Sequence, residues 1–318
     1  ADRLDLPVMP QTATEPGEHA LLARNRQRAF IKVQDGCRYR CAFCIVTKAR
    51  GNERSRRVGE VVEEVRRIHA SGIQEVVLAG VHLGGYGSDI GSSLQALVDA
   101  VLSETRIPRV RLGSLEPWEL DEGFWTLFAN PRLLPHLHLP IQSGADSVLR
   151  RMSRRCRSGE FRDLVEQARR AAPGFNVTTD IIVGFPGETE DEWKQTLDFA
   201  QQMAFGHIHI FAYSPRAGTK AAGMSDQITR EVKRERSRQL HEVAAAGRRK
   251  VLEQALGGEY AVLVEGRGEG VGGWSGYTPN YLRVELQGES GADLENRIVR
   301  VRCRRVSEDG ERLMAELI

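Results

Sequence analysis

Cysteine, lysine and long apolar runs are all scarce in this 318-residue chain. Its five cysteines are an odd number, and three of them fall within eight residues, which is a poor basis for a disulfide framework. No run of about 18 apolar residues occurs, and the first twenty residues do not follow the charged-then-apolar order of a signal peptide. These absences exclude a disulfide-stapled secreted domain and a membrane bundle, so we expect a cytoplasmic protein with no membrane association.

Positive charge is concentrated in one stretch of the chain. The net charge is only +2, but residues 21–57 contain eleven Lys or Arg against two acids, a local balance of +9. Six of the 45 basic residues are lysines, and this arginine bias suits bidentate contacts with phosphate, although a GC-rich genome produces the same bias without functional meaning. The clustering, unlike the bias, favours a polyanionic partner.

The pattern predicts an arm followed by a large α/β domain. Residues 1–27 are rich in Pro, Thr, Glu and Arg without a lasting period, so we expect a linker or arm there. From residue 28 to 255, short apolar runs alternate with helical patterns. The predicted strands are 29–34, 75–79, 109–113, 136–140, 176–183 and 208–213, and the predicted helices are 59–71, 93–103, 121–130, 146–153, 160–171 and 190–203. Right-handed crossovers would curl six such parallel strands into a partial barrel with its chemistry at the carboxyl ends.

A second, smaller domain is predicted at the end of the chain. Residues 225–255 read as one or two helices that close the barrel. Beyond them, the short β-type runs 260–265, 281–286, 297–302 and 312–317 are separated by glycine-rich turns. This pattern of short strands and glycine-rich turns predicts a small all-β, OB-like barrel over residues 256–318.

The sequence Cys37-Arg-Tyr-Arg-Cys41-Ala-Phe-Cys44 directly follows the first predicted strand. Three cysteines at this spacing can hold three irons of a [4Fe-4S] cluster and leave the fourth iron open to a small molecule. A structural zinc site is the alternative, but it needs four closed ligands, and no further Cys or His follows at the usual spacing. We therefore predict that Cys37, Cys41 and Cys44 hold a [4Fe-4S] cluster, with Cys156 and Cys303 too isolated to take part.

This cysteine spacing after a strand, with five further strand and helix units behind it, resembles the radical SAM superfamily. The resemblance implies a partial (β/α)6 barrel in which the open iron binds S-adenosylmethionine. One electron then cleaves that cofactor to methionine and a 5′-deoxyadenosyl radical. Phe43 stands where relatives turn an aromatic ring toward the adenine of the cofactor, although ordinary loop packing is an alternative role for it.

Further segments resemble the methylthiotransferases within that superfamily. They are residues 34–37, 49–51 with 55–56, 138–144, 180–189 and 213–219. Residues 81–87 resemble the branch that adds a methylthio group to C2 of N6-threonylcarbamoyladenosine at tRNA position 37. Isopentenyladenosine-37 of tRNA and ribosomal protein S12 are alternative substrates of the same chemistry. An alternative of another class is an RNA-binding module with a structural cluster.

The resemblance also implies a set of cofactor contacts at the predicted strand ends. These residues are Phe43, Glu116, Gln142, Ser143, Asp180, Gly184 and Tyr213. Gly184 begins a Gly-Phe-Pro-Gly turn whose backbone can approach a ribose closely. Structural alternatives remain open for Ser143, which can cap a helix, and for Glu116, which can be a surface carboxylate before a proline.

Arginines near the cysteine motif and in the small domain are the predicted RNA contacts. They are Arg50, Arg54, Arg56, Arg57, Arg302 and Arg304. A further basic group, residues 151–157, either contacts phosphates or is a solvated face. The last domain resembles the TRAM module, which helps grip RNA, but its eight arginines face eleven acids from residue 257 onward. Any RNA contact there must use a local face.

One expected feature of the methylthiotransferases is absent from the sequence. Relatives carry a preceding domain whose three cysteines hold a second [4Fe-4S] cluster that supplies sulfur, so we expect that cluster only in a full-length enzyme. The chain is then either a piece of a longer enzyme or a stand-alone relative, and we expect cofactor cleavage without efficient sulfur insertion. The expected partners are the anticodon loop of tRNA and an electron donor such as flavodoxin or ferredoxin, and the expected state is a monomer.

Overall fold

Six parallel strands form the wall of the large domain in the computed structural model, which describes residues 27–268, 273–287 and 293–318. The predicted arm lies outside these ranges, apart from Gln27. The parallel strands are β1 (Arg28–Asp35), β3 (Glu75–Gly80), β4 (Arg109–Leu112), β5 (His136–His138), β6 (Asn176–Val183) and β7 (His207–Ala212), and a short strand β2 (Arg54–Ser55) pairs antiparallel with β1. The predicted strands are thus present, whereas β2 was not predicted.

The strands belong to two sheets that together make an open barrel. One sheet has the order β2-β1-β3-β4 and the other β5-β6-β7. Single parallel bridges, from Val110 to Leu133 and from Ser114 to His138, connect β4 to β5. Among the described residues β7 pairs only with β6, so the barrel is partial. This architecture confirms the predicted fold class.

Within the described ranges, seven α-helices accompany the strands. They are α1 (Val46–Arg50), α2 (Val58–Ala70), α3 (Leu94–Glu104), α4 (Asp146–Arg151), α5 (Ser158–Ala171), α6 (Glu190–Met203) and α7 (Arg230–Gln254). The outward faces of the strands and the apolar faces of the helices form one continuous hydrophobic core, with members such as Ile31, Val110, Phe161 and Trp193. Strand residues alternate between two faces, so the other face lines the barrel interior.

Residues 121–130 do not form the predicted α-helix. The structure has a 3₁₀ segment there, Glu122–Ala129, which begins where the Asp121 carboxylate accepts the Phe124 N–H. Phe124 and Phe128 are buried and contact each other edge to face at 5.7 Å. Packing of these rings against the core therefore decides the local backbone, which a helical period in the sequence cannot reveal.

The small domain is a closed five-stranded barrel. Its strands are β8 (Glu259–Arg267), β9 (Trp274–Tyr277), β10 (Arg283–Leu286), β11 (Ile298–Val306) and β12 (Leu313–Leu317), in the closed order β10-β12-β11-β8-β9. Strand β9 is short and contains Gly276, whose ideal Cβ would lie 2.1 Å from the Leu263 carbonyl oxygen. Only glycine fits at this crossing, and the glycine-rich sequence hid the strand from the pattern.

The small barrel docks on the amino ends of the large barrel's strands. Arg109 donates to the carbonyls of Ala261 and Thr278, and Arg111 donates to that of Pro279. Both guanidiniums also hold Glu75, at 2.7 and 3.0 Å. We call this buried junction the floor of the barrel.

Tyr281 completes the floor from the small domain. Its ring lies 4.8 Å from that of His136, and the guanidinium of Arg111 lies over it at 4.5 Å. Burial alone would raise the pKa of Glu75, but the charges of Arg111 and Arg109 outweigh it and lower that pKa to about 2. The floor therefore consists of charges that are buried and paired with one another.

Candidate cofactor site

The cysteine loop begins where β1 ends, at the opposite end of the barrel from the floor. We call this end, where the carboxyl ends of the parallel strands lie, the mouth of the barrel. Gly36 there has φ +77°, and an ideal Cβ on it would lie 2.0 Å from the Asn52 carbonyl oxygen. The Cys37 N–H donates to Gly51, which fixes the start of the loop against its end. Glycine is needed because both the φ value and the close approach exclude a side chain.

The three thiols of this loop are free, and Cys44 is exposed. The Tyr39 N–H points at Cys37 Sγ from 3.4 Å, and Arg154 Nη1 lies 3.7 Å from Cys41 Sγ. Burial raises the pKa of Cys37 to about 11 and also raises the pKa of Cys41. Donors aimed at sulfur stabilise thiolates once a metal displaces their protons, so the loop fits an iron–sulfur cluster with three cysteine ligands.

Arg154 connects several parts of the site. Its side chain is only 2% exposed and forms an ion pair with Glu116 at 2.8 Å. It also donates to the Pro140 carbonyl and lies 4.5 Å from the ring centre of Trp118. Arg154 is therefore turned into the site rather than toward solvent, and Glu116 is held by it beside Cys41. The sequence placed Arg154 in a basic helix end and did not foresee this role.

Gln142 and Ser143 continue from β5 toward the mouth. Gln142 has φ +79° and is buried, and its backbone exchanges hydrogen bonds of 2.9 Å with Asp180 and Ile182 of β6. The Ser143 hydroxyl accepts the Ala145 N–H and lies 3.1 Å from the Thr196 hydroxyl. The Ser143 hydroxyl is thus engaged in the turn before α4, but it does not cap that helix, whose N-cap is Ala145.

A polar group faces the interior from three neighbouring strands. His138 Nε2 lies 3.1 Å from Asp180 Oδ1, and His138 Nδ1 lies 3.0 Å from the Thr178 hydroxyl. His209 is adjacent, and the nearest ligand atoms of His138, Asp180 and His209 all lie within 4.8 Å of one another. Burial lowers the pKa of His209 and so favours its neutral form. Two imidazoles and a carboxylate can hydrogen-bond a ligand or bind a divalent metal.

Gly184 lies at the end of β6 in a turn that Glu188 holds. The Glu188 carboxylate accepts the Gly184 N–H at 2.8 Å and pairs with Arg236 of α7 at 2.8 Å. Both side chains are buried. Neither Glu188 nor Arg236 was among the predicted site residues, because only the fold brings α7 onto this turn.

Phe43 and Tyr213 belong to one apolar cluster at the mouth. Its buried members include Ala42, Phe185 and Tyr213, and Phe43 packs against it partly buried. The Tyr213 hydroxyl is buried and has no hydrogen-bond partner among the described residues. The partly buried Phe43 ring offers an apolar contact for a planar ligand, whereas the Tyr213 hydroxyl lies inside the cluster.

Most of the predicted RNA-contacting arginines already face a carboxylate. Arg50 and Arg54 lie 3.9 and 3.6 Å from Asp35, and Arg56 pairs with Glu64 at 2.5 Å. In the small barrel, Arg302 pairs with Glu259 and Arg304 with Glu316. Arg57 is exposed and precedes α2. The structure does not bring these arginines into one group, since Arg302 and Arg304 lie in the domain that docks at the floor.

The remaining cysteines lie in hydrophobic cores. Cys156 is buried in the core of the large domain, and Cys303 is buried in that of the small barrel. Burial raises the pKa of Cys156 to about 12 and that of Cys303 to about 11. Such thiols are packing residues rather than reactive ones. No helix within the described ranges is long and apolar enough to cross a membrane.

Comparison with known proteins identifies a superfamily and relatives for this chain. The family model of the radical SAM superfamily matches residues 31–200. A threonylcarbamoyladenosine tRNA methylthiotransferase, MtaB, from Thermotoga maritima is 38% identical over 90% of this chain and 65% of its own length. The MtaB of Chlamydia pneumoniae is 36% identical over 92% of this chain and 68% of its own length.

Among solved structures, the radical S-adenosylmethionine methyltransferase TsrM of Kitasatospora setae has a similar fold. The TM-score is 0.53 at 18% identity, over 61% of this chain and 38% of that one. At this identity the likeness concerns the fold alone. The chain spans 65% of the Thermotoga relative's length. Taken with the loop of three free thiols at the carboxyl end of a partial barrel, these matches show that the chain belongs to the radical SAM superfamily and, within it, to the tRNA methylthiotransferases.

Proposed function

We propose that this chain is the radical-generating and RNA-binding part of an enzyme that adds a methylthio group to C2 of N6-threonylcarbamoyladenosine at position 37 of tRNA. The observation that carries the proposal is the loop of Cys37, Cys41 and Cys44, with two donors aimed at sulfur, at the mouth of the barrel. The similarity of the chain to two MtaB enzymes, over at least 90% of its length, supports the choice of substrate.

In this proposal the cysteine loop holds the [4Fe-4S] cluster, and the neighbouring residues around the mouth, which we call the rim, hold S-adenosylmethionine. When bound, the reduced cluster supplies the electron that cleaves the cofactor to methionine and a radical able to remove the C2 hydrogen of the base. The chain's own residues bind and orient. Arg154 and Glu116 fix the side of Cys41, and the Gly184 turn, held by Glu188, offers backbone groups to the cofactor ribose.

The finer assignments are part of the same proposal. Phe43, Gln142, Asp180 and Tyr213 contact the cofactor from the rim and the interior wall. The anticodon loop presents the base, and an acidic electron-transfer protein such as flavodoxin reduces the cluster. In a full-length enzyme, a second [4Fe-4S] cluster would be the source of the sulfur.

Deuterium transfer tests the proposal without requiring sulfur insertion. Anaerobically reconstituted chain is reduced with dithionite and mixed with S-adenosylmethionine and tRNA that carries deuterium at C2 of the modified adenosine-37. Mass spectrometry should find deuterium in the 5′-deoxyadenosine that is released. The matched control carries the deuterium at C8 and should transfer none.

Two results would contradict the proposal. Formation of 5′-deoxyadenosine without deuterium from C2 would exclude this substrate position. Absence of 5′-deoxyadenosine altogether, with a full complement of iron, would favour an RNA-binding module with a structural cluster.

A further inference from the structure

A cleft of about 640 Å³ lies between the end of β7 and the first half of α7. The strand end contributes Tyr213 and Ser214, and the helix contributes four cationic side chains, Arg230, Lys233, Arg234 and Arg238. The lining contains no carboxylate. The cleft therefore combines a positive wall from one helix with hydroxyl and backbone groups from the strand end.

The cations of the cleft form a single stripe on α7. Arg230, Arg234 and Arg238 are spaced four residues apart, which places them on one face at a rise of about 6 Å per step. The opposite face is buried through Arg236 and Leu240. The stripe begins at the first residue of the helix, where the unpaired N–H groups add partial positive charge.

Arg230 and Arg234 have no acidic partner in the cleft. Both are exposed, and neither makes a hydrogen bond or an ion pair within the described part of the chain. Arg238, by contrast, pairs with Glu235 and Glu242 on its own helix. Five of the six arginines that the sequence assigned to RNA are likewise paired with acids. Arg230 and Arg234 thus leave unpaired positive charge on α7, as the exposed Arg40 of the cysteine loop and Arg216 after β7 also do in their places.

The cleft adjoins the proposed cofactor site directly. Lys233 donates to the Tyr213 carbonyl at 2.9 Å, and its ammonium lies 5.4 Å from the Tyr213 ring centre. An ideal Cβ on Gly184 would lie 2.5 Å from Lys233 Cγ, so the lysine stem covers the turn at the end of β6. A polyanion in the cleft would therefore lie beside the rim where the base must enter.

The composition of the lining favours a polyanion as the occupant of the cleft. Its cations and the Ser214 and Ser237 hydroxyls are donors, and it contains no carboxylate. Because the proposed function brings a nucleotide to the adjoining mouth of the barrel, the polyanion that fits here is the RNA that carries that nucleotide.

We infer that the cleft formed by Arg230, Lys233, Arg234 and Ser214 binds the phosphodiester backbone of RNA next to the nucleotide that enters the barrel. This inference rests on the proposed function and adds α7 to its RNA contacts. It predicts sequence-independent contacts, since the arginines meet phosphates and not base edges.

The test compares two double variants with equal loss of charge. Arg230→Gln with Arg234→Gln removes two cations from the cleft. The control, Arg162→Gln with Arg170→Gln, removes two cations from α5. The binding of unmodified tRNA to each reconstituted protein is measured by fluorescence anisotropy between 50 and 300 mM salt. Urea unfolding of all three proteins checks that they fold equally well.

The cleft variant should bind tRNA at least tenfold more weakly than wild type at about 0.1 M salt, and its plot of log affinity against log salt should be less steep by about 1.5. The control should stay within twofold of wild type. If wild type binds tRNA and the cleft variant binds it equally well, the inference is overturned while the proposed function stands. If wild type does not bind tRNA, both are overturned.

A third readout separates an acidic protein partner from RNA. Cofactor cleavage is measured with flavodoxin and with dithionite as the reductant. A cleft variant that keeps its tRNA affinity but loses only the flavodoxin-driven rate would assign the cleft to the electron donor and overturn the inference.

Discussion

The two ends of the large barrel use the same kinds of residue in opposite ways. At the floor, Glu75 is fully buried and lies within 4.0 Å of Arg28, Arg109 and Arg111, so its charge is compensated inside the protein. At the mouth, the thiols are free and Arg230 and Arg234 have no partner in the described residues. Compensated charge holds domains together, whereas uncompensated charge and free thiols are available for ligands.

Loss of a cysteine ligand should have the largest effect, and it acts at the mouth alone. Cys41→Ala removes one of three thiolates that no neighbour can replace, so we expect loss of cluster absorbance and of all measurable cofactor cleavage. Iron content, the visible spectrum and 5′-deoxyadenosine yield are the measurements. Cys303→Ala is the control, and it should retain its cluster because Cys303 lies in the core of the small barrel. A Cys41→Ala protein with full iron and normal cleavage would remove this loop as the cluster site.

At the floor, loss of one side-chain charge should lower the stability of the protein rather than its cofactor cleavage. Glu75→Gln leaves buried guanidiniums without their anion, which costs about 3–5 kcal/mol of unfolding free energy. Urea unfolding measures this loss. The control Glu63→Gln breaks an exposed pair with Arg66 and should change the free energy by less than about 0.5 kcal/mol. Equal stabilities for the two variants would show that the floor does not hold the domains together.

The floor should also respond to acid. Because the pKa of Glu75 is lowered to about 2 in the folded protein, its contribution is complete above its ordinary pKa near 4.5 and is lost as the pH falls toward 2. By pH 3 this one group should remove about 2 kcal/mol of stability. Unfolding of wild type and Glu75→Gln at pH 7 and pH 3 measures the difference. Parallel declines in both proteins would mean that other carboxylates dominate.

The interior wall between the two ends should give the smallest effect. Asp180→Asn keeps the shape of the side chain but removes the charge beside His138. If Asp180 contacts the cofactor, the Kd of the variant protein for S-adenosylmethionine should rise about tenfold. Isothermal titration of reconstituted protein measures that value. Asp198→Asn, at an exposed position of α6, is the control. An unaltered Kd would restrict Asp180 to its pairing with His138.

The sequence was sufficient for the barrel, the small domain and the cysteine loop, because periodicity and cysteine spacing are local properties. It was insufficient wherever two distant segments meet. The pairing of Glu188 with Arg236, separated by 48 residues, and the contact of Arg154 with Cys41, separated by 113, leave no local pattern. The positive charge is indeed clustered in residues 21–57. Several of its arginines are nevertheless paired with acids in the next helix, such as Glu64, or far away in the chain, such as Glu119 and Glu265.

The tyrosine that completes the floor also closes one end of the large barrel. Tyr281 packs on His136, and Glu75, Arg109 and Arg111 beside it are buried, so the described residues leave no opening to solvent at the floor. Under the proposed function, spent cofactor would therefore leave through the mouth, where RNA would arrive, or through the gap beside β7, which pairs only with β6 among the described residues. RNA bound over the mouth would leave the gap as the free route.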